Sequence, residues 1–256
     1  MELSHNFVLL IDHENVPFGG VSLQEIVASW LDSIRAELPS SGILTINVRA
    51  YGGWFEEEIV SPSRYSANEF YVAQCPSTFK FEGYYCRLLF AFADNLAARD
   101  SSSGEIVSAR ITHTVAMRES PKGYRILSPT LTCSEASCEL NAIRRWLRRG
   151  KACFKKGCPH DFSDFFRRVE QKQVDVHIAT DLIYYSVLSP PRFHVALASD
   201  DLDLLPAVAC ASIKRNGLST LSVVRFLKAS TYLDEFLTQN GTRIVSFSKT
   251  LGGGMS

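Results

Sequence analysis

Three aspartates stand within four positions, Asp200, Asp201 and Asp203, in the otherwise apolar stretch VALASDDLDLLPAV. Carboxylates repel one another and avoid apolar surroundings unless a cation or hydrogen-bond donors compensate them. Acids held around a hard divalent cation, Mg²⁺ or Mn²⁺, suit phosphodiester hydrolysis, because the ion polarises the phosphate and lowers the pKa of a bound water. The question is whether other acids of the chain fold beside these three.

The strand pattern predicts that they do. FVLLI, residues 7–11, is an apolar run typical of a strand buried on both faces of a parallel sheet, and Asp12 follows it directly. Asp201 and Asp203 follow a second predicted strand, residues 193–198, in the same way. Ligands of open parallel sheets bind beyond the carboxyl ends of the strands. If the two strands are neighbours, these acids face one crevice.

A predicted helix over 174–187 brings two more acids. At 3.6 residues per turn, Asp175 and Asp181 fall about 60° to either side of Ile178, which lies in the apolar stripe. Both acids are therefore expected to edge the buried face rather than to face water. An acid there needs a partner, and Lys172 or a metal ion would supply one.

Helix capping is the simpler explanation for each single acid. Asp is a preferred N-cap residue and acids favour the first turn, so Asp200 or Asp201 suits the start of the next helix. Asp12 and Asn15 likewise suit a turn before Pro17. The shared site is favoured because four segments would each have to place an acid at one sheet edge by chance.

The remaining patterns predict an α/β protein with a mainly parallel sheet. A helix over 21–38 and a strand over 43–51 complete a βαβ unit with the first strand. Segment 86–96 suits a strand or a helix, and 106–117 with 124–127 resembles a hairpin. The other expected elements are helices over 64–73, 200–215 and 231–237 and strands over 221–226 and 243–247.

Composition bounds the classes of function. The 256 residues carry 27 basic and 27 acidic side chains, so any electrostatic case for nucleic acid or membrane must be local. No transmembrane run is expected, and the start of the chain lacks the pattern of a signal peptide. The seven cysteines, an odd number, indicate a reducing, cytoplasmic setting. The length suits one α/β domain with an insertion, or two small domains.

A cysteine-rich segment, residues 129–160, interrupts the α/β pattern. Cys133 and Cys138 are spaced C-x4-C, and Cys153 and Cys158 repeat that spacing. Four thiolates in two pairs suit a tetrahedral structural Zn²⁺ site. The usual spacing is C-x2-C, so reduced, unrelated cysteines stay an alternative, as does a site with three cysteines and His160.

The same segment is strongly basic. Its cationic residues are Arg144, Arg145, Arg148, Arg149, Lys151, Lys155 and Lys156, with Trp146 among them. Such a mixture suits phosphate contacts and base stacking. A solvated helix face is the alternative, but beside an acid cluster nucleic-acid binding is favoured. We expect the segment to guide a nucleic-acid strand to the acids.

Four motifs together resemble the NYN domains, a branch of the PIN-like nucleases. They are LIDHENV, RAYGGW, KQVDVHIATD and ASDDLDLLPAV, in that order along the chain. The resemblance implies a Rossmann-like three-layer PIN fold. We expect it to comprise residues 1–128 and 161–250, with the insertion at 129–160 and a flexible tail at 251–256.

The resemblance also implies a metal-dependent endoribonuclease, although some members of the family are inactive. RNA is favoured over DNA on this ground only. By motif match, Mg²⁺ or Mn²⁺ would be held by Asp12, Asp175, Asp201 and Asp203. Asp181 is a second-rank candidate, and hydrogen bonds from Asn15 and Ser199 would orient the site. Lys172 would pair with a site acid or contact a phosphate.

One position departs from the family, which usually has glycine where this chain has Asp200. The extra carboxylate would raise a neighbour's pKa or change the metal preference, or else point to solvent.

Two other classes of function stay open. The same fold can serve as a catalytically inert module that binds nucleic acid or a protein, and a divalent-metal titration would distinguish it. An acid-cluster phosphatase would want an Asp two residues after Asp12, where this chain has Glu14. A second copy of the chain or a regulatory protein also stays open as a partner.

Overall fold

The computed structural model describes residues 6–40, 42–56, 59–97, 115–118, 125–126, 166–171, 173–188, 193–215, 219–226 and 231–247. Its contacts divide the chain into two compact units. The larger unit comprises Met1–Thr114 with Gln173–Ser256, and the smaller one comprises Val115–Lys172. The predicted insertion at 129–160 and the tail at 251–256 lie outside the described residues.

The described strands, numbered in chain order, are β1 (Asn6–Asp12), β2 (Gly42–Tyr51), β3 (Phe55–Glu56), β4 (Ile59–Val60), β5 (Ser77–Phe81), β6 (Tyr84–Phe92), β7 (Val115–Arg118), β8 (Arg125–Ile126), β9 (Phe166–Gln171), β10 (Phe193–Ala198), β11 (Thr220–Arg225) and β12 (Arg243–Ser246). The α-helices are α1 (Leu23–Ser33), α2 (Pro62–Gln74), α3 (Val174–Ile183), α4 (Leu205–Lys214) and α5 (Thr231–Gln239). Short 3-10 helices span Arg35–Glu37 and Leu202–Leu204, and a π-helical turn, Tyr184–Leu188, extends α3.

The larger unit is built on a seven-stranded sheet with the order β12-β11-β10-β1-β2-β6-β5. Neighbouring strands from β12 to β6 run parallel, and the edge strand β5 is antiparallel to β6. β3 and β4, in the same unit, pair antiparallel to each other. The expected α/β class with a mainly parallel sheet is confirmed.

Helices cover both faces of this sheet. The odd-numbered apolar residues of β1 pack in one buried cluster with side chains of α1 and α2. Val8 and Leu10 of β1 pack in a second cluster with residues of α3, α4 and α5. This explains why FVLLI is apolar at every position, because each side chain enters one of two cores. The arrangement is compatible with a Rossmann-like fold of three layers.

The order of the strands creates a switch point between β1 and β10. From β1 the chain continues to β2 and β6 on one side, then returns to place β10 on the other side. Open α/β sheets bind ligands where the strand order reverses in this way. A ligand is therefore expected at the carboxyl ends of β1 and β10.

The smaller unit contributes three described strands. β7 and β8 are each antiparallel to β9, and neither pairs with the other. The predicted hairpin between 106–117 and 124–127 is therefore wrong for the part of it that the structure describes. The local pattern showed two strands around a turn but could not show that a distant strand, β9, pairs with both.

Two other expected elements differ in type or bounds from the observed ones. Residues 86–92 of the segment 86–96 belong to a strand, β6, which ends at Phe92. The helix expected over 200–215 begins only at Leu202 with a 3-10 turn, and α4 follows it. Within the described ranges, none of the helices has both the length and the apolar character to cross a membrane.

Candidate metal centre

Asp12 is the last residue of β1 and lies where β1 and β10 end side by side. Ile11 of β1 pairs with Ala198 of β10 in the parallel register. Asp12 and Ser199, the residues that follow them, therefore lie side by side. The expectation that these strands are neighbours is thus confirmed. Asp12 is only 2% exposed, which is unusual for a carboxylate and requires donors beside it.

Two side chains supply those donors to a single oxygen. Asn15 Nδ2 donates to Asp12 Oδ2 at 2.6 Å, from the turn that follows β1. Ser199 Oγ donates to the same Oδ2 at 2.9 Å, from the end of β10. Both residues that the motif match expected to orient the site contact Asp12 directly.

The hydrogen bonds continue from Ser199 to the following aspartates. The Asp201 N–H donates to Ser199 Oγ at 3.0 Å, and the Asp203 N–H donates to Asp201 Oδ1 at 2.8 Å. Asp201 is therefore the N-cap of the 3-10 turn, as the simpler explanation held. Capping uses Oδ1 alone, and the other carboxylate oxygen accepts no hydrogen bond from a described residue.

Three aspartates from two segments meet beyond these strand ends. One carboxylate oxygen from each of Asp175, Asp201 and Asp203 lies within 4.8 Å of the others. Asp175 comes from the first turn of α3, and the other two follow β10. Three of the four expected metal ligands are thus brought together, and Asp12 lies outside this triad.

The position of Asp175 differs from the expectation. Asp175 is exposed, whereas Asp181 on the same helix is fully buried. The helical angle alone placed both at the edge of the buried stripe. The two aspartates differ in exposure because α3 begins at Val174, which places Asp175 in the first turn, at the N-terminal end of the helix.

The electrostatics show that the acids act on one another. Burial raises the pKa of Asp12, while hydrogen bonds from Asn15 and Ser199 lower it; the charges of Asp175 and Asp201 raise it further. Partial desolvation raises the pKa of Asp175, and the charges of Asp201 and Asp203 add to that effect. Negative charge is therefore concentrated at this sheet edge, with Asp12 adding to the field of the triad.

The residues of the triad fit a hard divalent cation. All three groups offer carboxylate oxygens, the ligands that Mg²⁺ and Mn²⁺ prefer, and no soft sulfur or imidazole donor is among them. A cation would also relieve the repulsion that raises the pKa of Asp175. Exposed acids cluster in many proteins without a metal, so the distinguishing feature here is the buried Asp12 beside them.

Asp181, the second-rank candidate, is bound elsewhere. Its Oδ2 accepts hydrogen bonds from Arg49 Nη2 at 2.9 Å and the Tyr51 hydroxyl at 2.7 Å, and its Oδ1 accepts one from the Ala97 N–H at 2.7 Å. Burial, then the charge of Asp181, raise the pKa of Tyr51 well above its ordinary value, so the hydroxyl keeps its proton. Arg49 and Tyr51 belong to the motif RAYGGW but are not among the site residues expected from sequence, although their spacing of two on β2 places both on one face of the sheet.

Asp200 neither joins the triad nor points to solvent. Arg225 Nε donates to Asp200 Oδ1 at 2.8 Å, and the Phe226 N–H donates to the same carboxylate. The side chain of Asp200 is 4% exposed and that of Arg225 is 7% exposed. The carboxylate of Asp200 is thus the partner of a buried arginine at the end of β11.

Several expected site residues lie outside the described residues. They are Lys172, the cysteines Cys133, Cys138, Cys153 and Cys158, and the cations Arg144, Arg145, Arg148, Arg149, Lys151, Lys155 and Lys156. The zinc site and the nucleic-acid contacts expected from them stay predictions.

Comparisons of the chain with protein-family models, with curated proteins and with solved structures found no match. The resemblance to NYN domains rests on the four sequence motifs and stays a prediction.

Proposed function

We propose that the chain is a metal-dependent nuclease that hydrolyses phosphodiester bonds, with RNA as its substrate. One observation carries the proposal: Asp175, Asp201 and Asp203 offer oxygens within 4.8 Å of one another beyond the switch point of the sheet. These three residues would hold Mg²⁺ or Mn²⁺. The bound ion would polarise the phosphate and make water a better nucleophile at neutral pH.

The chain's own residues have separate roles in this proposal. Asn15 and Ser199 hold the carboxylate of Asp12, and Asp12 adds negative charge beside the triad. This charge strengthens attraction for a cation and repels a bare phosphate. The phosphate at the triad is therefore expected to contribute to binding only when the cation is present, so this part of the substrate affinity should depend on the metal.

The exposure of the triad supports a polymeric substrate. Asp175 and Asp203 are exposed, so a chain that extends beyond the site on both sides has access to them. The preference for RNA comes from the motif resemblance alone. The proposal includes a cytoplasmic setting, a structural Zn²⁺ in the segment 129–160, and guidance of the strand by the basic residues there.

Cleavage of labelled single-stranded RNA and DNA tests the proposal. Wild-type protein is incubated with Mg²⁺, Mn²⁺ or EDTA, beside Asp175→Asn and Asp201→Asn, which keep the size of the side chain. Asn caps a helix as well as Asp does, so Asp201→Asn should spare the 3-10 turn. Asp32→Asn is the matched control, because Asp32 is an exposed acid of α1 that pairs with Arg35.

Cleavage of RNA that needs Mg²⁺ or Mn²⁺, falls at least about 100-fold in both site variants and survives Asp32→Asn would support the proposal. Metal-independent cleavage, or equal activity of all three variants, would refute it. Tight RNA binding with no cleavage by any form would favour the inert binding module. Hydrolysis of small phosphomonoesters but not of oligonucleotides would favour a phosphatase.

A further inference from the structure

A cavity of about 310 Å³ opens in the larger unit beside the carboxyl end of β6. Phe92 of β6, Phe55 of β3 and Val60 of β4 line one part of it, and Arg64, Tyr65 and Asn68 of α2 line the other. Its volume is at the lower end of the range for ligand sites, enough for one small ring system. The lining combines aromatic rings with a few polar groups, as ligand sites do.

Arg64 is fixed and its charge is compensated. Its guanidinium donates to both oxygens of Asp94, at 2.6 and 2.8 Å. Its Cζ also lies 4.4 Å from the ring centroid of Phe92 and 4.9 Å from that of Phe55. The paired arginine and its rings therefore form a rigid wall, and the cavity has little attraction for a phosphate or another anion.

The opposite wall offers unused polar and aromatic surface. Tyr65 is 65% exposed, and Asn68 is also exposed. Neither side chain has a hydrogen bond or ring contact with another described residue. A free aromatic face binds planar rings by stacking, and a side-chain amide can both donate to and accept from the edge of a heterocycle. Together they suit a neutral, planar, hydrogen-bonding ring.

The cavity also lies on the same edge of the sheet as the aspartates. Asp12 pairs with Tyr51 in the register of β1 and β2, and Ala50 pairs with Phe92 in the register of β2 and β6. Phe92 thus ends the strand two places from β1, about 10 Å away across the sheet. Because α2 and α3 cover opposite faces of the sheet, a substrate strand bound at the aspartates would reach the cavity by crossing this carboxyl edge.

From these observations we infer that the cavity binds one nucleobase of the substrate strand, stacked on Tyr65 and hydrogen-bonded to Asn68. The inference rests on the proposed function and adds to it a subsite that reads a base rather than a phosphate. Binding there makes the enzyme prefer strands with an unpaired base at this position, since a base in a duplex cannot enter.

RNA binding measured in EDTA tests the subsite apart from cleavage. Fluorescence anisotropy with a labelled single-stranded RNA is recorded over a series of salt concentrations for wild type, Tyr65→Ala and Asn68→Ala. Tyr65→Ala is expected to weaken binding by about tenfold. The dependence of affinity on salt should not change, because the cavity contacts no phosphate.

Tyr85→Ala is the matched control. Tyr85 is an exposed tyrosine of β6 that pairs with Ile43 at the opposite end of the strand from Phe92, and its loss should leave RNA affinity unchanged. Thermal melting verifies that all variants fold. In a second probe, wild type should bind adenosine more tightly than ribose 5-phosphate, and Tyr65→Ala should remove that difference.

The inference is overturned if Tyr65→Ala binds RNA as wild type does, or if its loss of affinity comes with a smaller salt dependence. Saturable binding of N-acetyltryptophanamide without binding of adenosine would also overturn it and indicate a peptide site. Base-dependent binding by a protein that never cleaves would refute the nuclease and retain the subsite. Cleavage unaffected by Tyr65→Ala, with unaffected binding, would retain the nuclease and refute the subsite.

Discussion

Ser199 Oγ lies 2.9 Å from Asp12 Oδ2, although 187 positions separate the two residues in the chain. The same hydroxyl accepts the Asp201 N–H at 3.0 Å. One oxygen atom therefore connects the end of β1 with the loop that carries two aspartates of the triad. This contact exists because β1 and β10 are neighbours in register, and it sets the spacing between the buried Asp12 and the two aspartates of the loop.

Ser199→Ala should damage both stability and the site. The change removes a donor from the buried Asp12 and an acceptor from the Asp201 N–H, so the free energy of unfolding should fall by about 1–3 kcal/mol. Because the lost hydrogen bond lowers the pKa of Asp12, that pKa should rise further. Urea unfolding and carboxyl-edited NMR titration measure the two effects.

Ser222→Ala is the control for that prediction. Ser222 is fully buried in β11, and its Oγ has no hydrogen-bond partner among the described residues. Its removal should be nearly neutral, since no partner is left unsatisfied. Equal losses in the two serine variants would mean that the contact between Ser199 and Asp12 adds nothing.

The raised pKa values of Asp12 and Asp175 predict a specific dependence of apo stability on pH. A carboxyl whose folded pKa lies above its ordinary value of 3.8 binds protons more tightly when the protein is folded. Its contribution is fully present below pH 3.8 and is lost as the pH rises through the folded pKa. Without divalent ions, Asp175→Asn should therefore stabilise the protein slightly at pH 7, by less than about 1 kcal/mol because Asp175 is exposed.

Divalent ions should reverse this difference between wild type and Asp175→Asn. A ligand at 100 times its dissociation constant stabilises the folded state by about 2.7 kcal/mol, and metal binding needs ionised carboxylates. The increase in melting temperature that Mn²⁺ causes in wild type should grow with pH, while the melting temperature of Asp175→Asn should not respond to Mn²⁺. An identical Mn²⁺ response in wild type and Asp175→Asn, with Asp32→Asn as reference, would exclude Asp175 as a ligand.

Much of the fold was predictable because its strands are locally distinctive. β1 and β10 are continuous apolar runs, and both were placed within a residue of their observed bounds. The meeting of Asp12 with Ser199 then followed from one general rule about parallel sheets. The edge strand β5 was missed, because STFKF alternates polar and apolar residues weakly and lies between two better-defined elements.

The partners of the buried acids were not predictable, since nothing local indicates them. Arg49 precedes Asp181 by 132 positions, and Arg225 follows Asp200 by 25. From sequence, Asp181 is a second-rank candidate for the site because an acid beside an apolar stripe requires a partner, and Asp200 is an extra carboxylate that would act on the site or point to solvent. Only the packing of β2 against α3, and of β11 beside β10, shows that arginines already meet that need.

Asp181→Asn separates a structural role from a metal-binding one. Asn keeps an acceptor for Arg49 and Tyr51, but its amide would meet the Ala97 N–H as a second donor. We expect the free energy of unfolding to fall by about 1–3 kcal/mol, while the affinity for Mn²⁺ stays within error of wild type. Isothermal titration with Mn²⁺ and urea unfolding measure the two effects. Loss of Mn²⁺ affinity at unchanged stability would instead place Asp181 among the ligands.

Asp200→Gly should destabilise this chain. The change leaves the buried Arg225 without its close partner. The other described acid near its guanidinium is Asp234, whose Oδ1 lies 4.0 Å from Arg225 Nη1. Breaking a buried ion pair by removing one partner lowers the free energy of unfolding by about 3–5 kcal/mol. Because Asp234 still lies near Arg225, we expect a loss near the lower end of this range. Urea unfolding at low salt measures it.

The double variant Asp200→Gly/Arg225→Met identifies the cause of that loss. Methionine removes the uncompensated charge and keeps much of the buried volume, so the double variant should be more stable than Asp200→Gly alone. Affinity for Mn²⁺ should be equal in wild type and both variants, because the carboxylate of Asp200 is bound to Arg225 and the Phe226 N–H. A tighter or weaker Mn²⁺ site in Asp200→Gly, with no recovery in the double variant, would mean that Asp200 acts on the metal rather than on the arginine.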